Sequence, residues 1–219
     1  MKISSYELFT KRIFVFLLMT IFSFHAIADQ NNKKRTLVVY FSQPEDVKLD
    51  GVDGNSGASL LSKNNQLLGS TQYIAQLIQQ QTDGELFRIE TVNTYPSQHE
   101  PLIRYAEKEK QDNVRPALKS KINNLADYDT VFIGYPIWWY QMPMALYSFL
   151  EQHNLQGKTI IPFTTHGGSH FSGSIQEIQR LQPGASVITD GLAISRNDVT
   201  DDDIESEVKD WLNDLPAVK

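Results

Sequence analysis

The chain has 219 residues, 41% hydrophobic and 21% charged, enough for one well-buried core. Its 20 basic and 26 acidic residues leave a net charge of −6, which disfavours nucleic acid and anionic membrane as partners. There is no cysteine, which excludes disulfides, thiol nucleophiles, iron–sulfur ligation and zinc thiolates, so any redox chemistry must come from a bound cofactor.

In chain order, the first expectation is a signal peptide over residues 1–28. Lys2, Lys11 and Arg12 make a positive start, Ile13 to Ile27 is largely apolar, and Ala26-Ile27-Ala28 supplies a small-x-small cleavage site. The apolar run is short for a bilayer span, which needs about 20 residues. Export is therefore expected, with cleavage after Ala28 and a periplasmic or other extracytoplasmic destination. Thr10-Lys11-Arg12-Ile13-Phe14 is compatible with a Lys-Arg variant of a twin-arginine signal or with a basic n-region for the general secretory route. Cleavage would remove Lys2, Lys11, Arg12 and Glu7. The mature chain would then carry 17 basic and 25 acidic residues, a net charge of −8.

Residues 29–35 are a polar spacer, and the domain is expected over 36–219. TLVVYFS, Thr36 to Ser42, is the first strand. A polar stretch, Gln43 to Gly69, precedes a helix from Ser70 with Tyr73, Ile74, Leu77 and Ile78 at helical spacing; Asp83-Gly84 ends it. Glu85 to Glu90 is the second strand. A charged helix is predicted over Ser97 to Asn113, with a further helical segment running towards Leu125. Thr130 to Gly134 is the third strand, followed by the aromatic stretch YPIWWYQMPM and a helix over Met142 to Glu151 with Pro143 in its first turn. Thr159 to Thr164 is the fourth strand, Ile175 to Leu181 a helix, and Ser186 to Ile194 contains the fifth strand. Thr200 is expected to cap a last helix, with Ile204, Val208, Trp211, Leu212 and Leu215 on one face. Strands alternating with helices predict an α/β domain with a parallel sheet, whose ligand site lies where the strands' carboxyl ends open into loops.

Three of those loops carry unusual chemistry. Gly69-Ser70-Thr71-Gln72 sits at a helix N-terminus, an anion site or a plain N-cap. Neither a Walker motif nor a dinucleotide fingerprint is present. Trp138 and Trp139, beside a strand end, could stack on a planar heterocycle or pack on neighbouring loops. Thr165-His166-Gly167-Gly168-Ser169 is rich in glycine and hydroxyls, which lets backbone approach a ligand closely. His166 and His170 are four apart, but Gly167-Gly168 argues against the helix that would align them as metal ligands, and no metal is expected.

In this order the loops resemble the flavodoxin-like family, and in particular its branch of small exported bacterial flavodoxins. The resemblance spans about Thr36 to Leu215. It rests on YFS at 40–42, LLGST at 67–71, YPIWWYQMPM at 135–144, GKTIIPFTTHGGS at 157–169 and PGASVITDGL at 183–192. It implies a three-layer fold, a five-stranded parallel sheet in order 2-1-3-4-5 with helices on both faces, and one FMN. Ser42, Ser70, Thr71 and Gln72 match the family's phosphate loop. Pro136, Ile137, Trp138 and Trp139 match the loop flanking the isoalloxazine, and Thr165, His166, Gly167, Gly168 and Ser169 the loop around its other edge. Two departures stand out. Ser42 and Ser70 are separated by an insertion, with Ser70 where the family's Gly-Asn-Thr has Asn. A long charged segment also runs from Thr94 to Pro116, placed to cover the flavin edge. No Lys or Arg adjoins Ser70 in sequence, so neutral donors are expected to hold the phosphate. Two redox classes remain open: an electron carrier docking on a redox partner protein, and an FMN-dependent NAD(P)H:quinone-type oxidoreductase with a small-molecule acceptor. The acidic balance leans towards the carrier; a non-redox binding module is a third reading.

Overall fold

The computed structural model describes residues 35–51, 54–55 and 57–216. The expected signal peptide and most of the spacer lie outside the described residues. Arg35, placed in the spacer by sequence, instead pairs with Glu85 and Asp127 at the edge of the domain.

The elements are β1 (Thr36–Tyr40), β2 (Gly54–Asn55), β3 (Leu60–Lys63), β4 (Gln66–Gly69), α1 (Ser70–Thr82), β5 (Glu85–Arg88), α2 (His99–Gln111), β6 (Thr130–Pro136), α3 (Met144–Gln152), β7 (Thr159–His166), α4 (Ser174–Leu181), β8 (Ser186–Val187), β9 (Leu192–Ser195) and α5 (Ile204–Asp214). The main sheet is parallel, in order β5-β1-β6-β7, with β8 and β9 both pairing on the far side of β7. Taking β8 and β9 as one interrupted edge strand, this is the expected order 2-1-3-4-5.

The interruption has a local cause. β7 pairs with β8 through Ile160 and with β9 from Phe163 onward. Between them lies Pro162, which has no N–H to give a ladder. Gly191 packs so closely there that a Cβ on it would sit 2.5 Å from the Pro162 carbonyl oxygen.

All of β6 is buried, as is β7 apart from Thr159, because helices cover both faces of the sheet. One core joins Val38, Phe132, Ile161 and Phe163 to α1 and α5. The other joins Val39, Val131 and Ile133 to α3, with Leu102 of α2 and Ile178 of α4. Gly134 is paired with Phe163, whose ring occupies the space a Cβ would take, 2.0 Å from its Cζ.

Some expectations are corrected. The insertion after β1 is not merely a loop: β2, β3 and β4 form a separate antiparallel sheet. Asn64 and Asn65, both at positive φ, make the two-residue turn joining β3 to β4. The segment after Pro116 is not helical; Leu118 bridges antiparallel to Thr91, and Val92 and Lys119 bond across the same junction. Asp203, not Thr200, stands at the N-cap of α5.

Candidate functional site

Crossovers of one hand carry the exits of β1, β6, β7 and β9 to one edge of the sheet. There a cavity of about 180 Å³ opens to solvent. Its walls include Pro136, Ile137, Trp138 and Trp139 from the β6 exit and Thr165, His166 and Gly167 from the β7 exit. Seven of the residues marked by sequence thus meet in one cavity. Gly168 and Ser169 support the wall: the Gly168 N–H donates to His166 Nδ1 at 2.9 Å, and the Ser169 carbonyl accepts from Ser172 Oγ.

The two tryptophans do different jobs. Trp138 is partly buried and meets Phe41 and Tyr95 edge-on, each with ring centroids 5.4 Å apart. Trp139 is 39% exposed and donates its indole N–H to the Ile103 carbonyl at 3.0 Å. Reciprocal backbone bonds between Trp138 and Gln141 close a two-residue turn, which forces Trp139 to φ 50 and Tyr140 to φ 62. Asn and Gly accept that conformation readily; side chains of this size pay for it in strain. Lys110 Nζ, donating to the Trp139 carbonyl at 2.6 Å, helps to hold it.

Sequence reasoning placed the Thr94–Pro116 segment as a cover here but named none of its lining residues. Leu102, Ile103 and Ala106 of α2 line the cavity together with the tryptophans, as do Glu45, Ser59 and His99. His99 Nδ1 lies 2.8 Å from Glu45, and the Asp46 N–H donates to the Ser97 carbonyl, so the insertion and the Thr94–Pro116 segment are tied together.

The hydroxyl loop lies beside this cavity. Ser42 Oγ rests against Gly69, where a Cβ would come within 2.1 Å. The Thr71 and Thr165 hydroxyls bond each other at 2.7 Å in a buried position. Ser70 lines a smaller adjoining cavity with Asn55, Asn197 and Thr200. Two groups of this loop are engaged within the protein: the Ser70 N–H donates to the Ser59 carbonyl, and Gln72 Oε1 accepts the Gly69 N–H. The N–H groups of Thr71 and Gln72, in the first turn of the helix, have no partner inside it by its geometry.

Electrostatically, His166 is the unusual group. It is buried, and its Nε2 has no hydrogen-bond partner among the described residues. Burial pushes its pKa below the usual imidazole value and nearby His170 pushes the same way; the Ala193 carbonyl and Asp198 oppose without reversing the shift. Because Nδ1 accepts a hydrogen bond, the neutral ring carries its proton on Nε2, a spare donor in the cavity wall. The His166 and His170 rings lie 4.5 Å apart, yet no group of three or more metal-ligating side chains is found among the described residues. A second buried titratable group, Glu109, accepts the Tyr95 hydroxyl at 2.7 Å behind Trp138.

Residues 64–215 match the family model described as Flavodoxin. Among solved structures, one from Bacteroides eggerthii, named a flavoprotein, is 28% identical with a TM-score of 0.60, covering 83% of this chain and 97% of that one. Another from Bacteroides uniformis is 29% identical with a TM-score of 0.60, covering 82% and 98%. A flavoprotein from Lactobacillus acidophilus, solved in complex with FMN, shares the fold at 20% identity and a TM-score of 0.53, covering 81% and 98%. No curated protein matches. The matched span, the sheet order and the loop cavity agree: the chain belongs to the flavodoxin family.

Proposed function

We propose that this flavodoxin binds one FMN across the two adjoining cavities and acts as an electron-transfer carrier. The observation that carries the proposal is the meeting of an aromatic cavity with a hydroxyl-lined helix N-terminus at one sheet edge. The donor set suits the cofactor: tryptophan faces for a planar ring, Thr71 and Gln72 N–H groups with the Ser70 hydroxyl for a phosphate, and the spare His166 Nε2–H for a ring acceptor. FMN, when bound, supplies the electron-accepting and electron-donating chemistry. The protein's own residues bind it, orient it and exclude water. Trp138 is braced by Phe41 and Tyr95, Trp139 is held by Ile103 and Lys110, and α2 lines the same cavity and would exclude water from a ring bound there. His166 keeps a proton at Nε2, where it would favour negative charge on a ligand.

The acidic balance supports a carrier that docks on a redox partner protein. The apolar wall of Leu102, Ile103 and Ala106 favours a second reading, an FMN-dependent NAD(P)H:quinone-type oxidoreductase that admits a small acceptor beside the tryptophans. We also propose that residues 1–28 direct export and are removed after Ala28, which the basic start, apolar run and Ala-Ile-Ala site support; no helix among the described residues is long and apolar enough to cross a membrane.

The test mixes FMN-loaded protein anaerobically with NADPH or NADH and follows flavin absorbance. A carrier stays oxidised until a separate reductase is added. Bleaching by either nucleotide at a catalytic rate, on the order of 1–10³ s⁻¹, establishes the second reading instead. A protein that takes up no FMN at micromolar concentration overturns both.

A further inference from the structure

We propose that Arg196 is a charged contact for the cofactor's phosphate, so that this chain discriminates FMN from riboflavin by charge as well as by neutral donors. The inference rests on the FMN reading above and departs from what the sequence suggested, because no cation adjoins Ser70 along the chain. The fold supplies one. Arg196 leaves β9, and its N–H donates to the His166 carbonyl at 2.8 Å, which fixes its backbone to the end of β7. Its side chain lies over the bare backbone of Gly167, where a Cβ would be 3.4 Å from both Cζ and Nε. It lines the aromatic cavity and also the smaller cavity that Ser70 lines, so it stands where the two adjoin.

Arg196 makes no ion pair and no side-chain hydrogen bond with any of the described residues. That is unexpected for its surroundings, since Asp198, Asp201, Asp202, Asp203 and Glu205 all follow within ten residues. The guanidinium lies instead against Gly167, and Arg196 lines the cavity that Ser70, at the positive end of α1, also lines. A guanidinium and a helix N-terminus are both centres of positive potential, and an anion reaching both is favoured by each. A planar guanidinium pairs two phosphate oxygens at once, which a neutral hydroxyl cannot do. Riboflavin offers the same ring and ribityl chain without that anion. Buried in the same cavity wall, the unpartnered His166 Nε2 is a second, independent sign that a polar ligand belongs here.

The test titrates apoprotein with FMN and with riboflavin by flavin fluorescence, for wild type, Arg196→Gln and Arg196→Lys, at low salt and in 1 M salt. Because Arg196 is exposed and unpaired, circular dichroism should report the same fold for all three. In Arg196→Gln the FMN affinity should fall about tenfold, the size of one charge-assisted hydrogen bond, while riboflavin affinity is unchanged. Arg196→Lys should recover part of the loss, and high salt should shrink the difference between wild type and Arg196→Gln. Equal losses for FMN and riboflavin would place Arg196 on the ring or ribityl chain and overturn the proposal. So would FMN affinity that does not change in Arg196→Gln. If wild type takes up FMN, either result defeats this inference alone; if wild type takes up neither flavin, the FMN reading fails with it.

Discussion

The two adjacent tryptophans should separate under mutation, although both line the cavity. Trp138 is braced by two edge-on rings at 5.4 Å, each pair worth about 0.5–1.5 kcal/mol beyond area burial. Replacing it by alanine also opens a gap beside Phe41 and Tyr95. Full truncation of a buried aromatic costs roughly 3–5 kcal/mol, and Trp138 is only partly buried, so Trp138→Ala should cost about 3 kcal/mol of stability. Trp139 stands at φ 50, which a glycine adopts freely. Trp139→Gly therefore regains about 1–2 kcal/mol of backbone strain and loses one hydrogen bond to Ile103, worth about 0.5–1.5 kcal/mol. Its net effect on stability should be within about 1 kcal/mol of zero. Its effect on FMN should be larger in proportion, since the ring's aromatic wall is gone: a three- to tenfold rise in Kd is expected for a stack worth about 0.5–1.5 kcal/mol. Urea unfolding of the apoproteins by far-ultraviolet circular dichroism reads the first quantity, and flavin titration reads the second. The reasoning is refuted if Trp139→Gly destabilises the apoprotein more than Trp138→Ala does, or if it leaves FMN affinity untouched.

Burial holds the Glu109 carboxyl above its usual pKa, with the Tyr95 hydrogen bond only partly offsetting the shift. Since its folded value is raised, its contribution to stability is present at low pH and lost as pH rises through that value. Glu109→Gln keeps an acceptor for Tyr95 and removes the buried charge, so it should melt higher than wild type at neutral pH, with the advantage fading as pH falls towards the ordinary carboxylate value of 4.5; a constant difference across that range contradicts this. Gly134→Ala should destabilise by about 1–3 kcal/mol or more, because its Cβ would enter the space of the fully buried Phe163 ring; a denaturation midpoint equal to wild type would show that Phe163 can move aside.

What the sequence revealed depended on how local the signal was. TVFIG and TIIPF read as strands because they are buried on both faces, and continuous apolar runs have no other simple use in a short segment. The aromatic and glycine loops were recognisable because their composition is costly anywhere but at a site. The hairpin of β3 and β4 was missed although its turn was written in the chain: Asn64-Asn65 is a two-residue turn of residues that tolerate positive φ, between LLSK and QLLG. The supposed helix towards Leu125 failed because Leu118 and its neighbours bond the chain leaving β5, a tertiary contact no local pattern reports. Arg196 was invisible to sequence for the same reason: the register of β9 on β7, not proximity along the chain, brings it to Gly167 and Ser70.

The insertion and the Thr94–Pro116 segment also looked like separate departures from the family pattern, and the structure makes them one. Asp46 donates to Ser97, Glu45 meets His99, and both segments supply walls to the cavity that the tryptophans line. These bonds join the two segments into one cover beside the cavity, which still opens to solvent. Next to the cover stands the turn carrying Trp139, which bonds Ile103, and the 75% exposed Tyr140. That turn is strained, aromatic and held from behind by Lys110, so it presents a fixed apolar tip beside the proposed flavin site. Under the proposed function, a docking protein or a small acceptor that approaches from this side would pack against Trp139 and Tyr140.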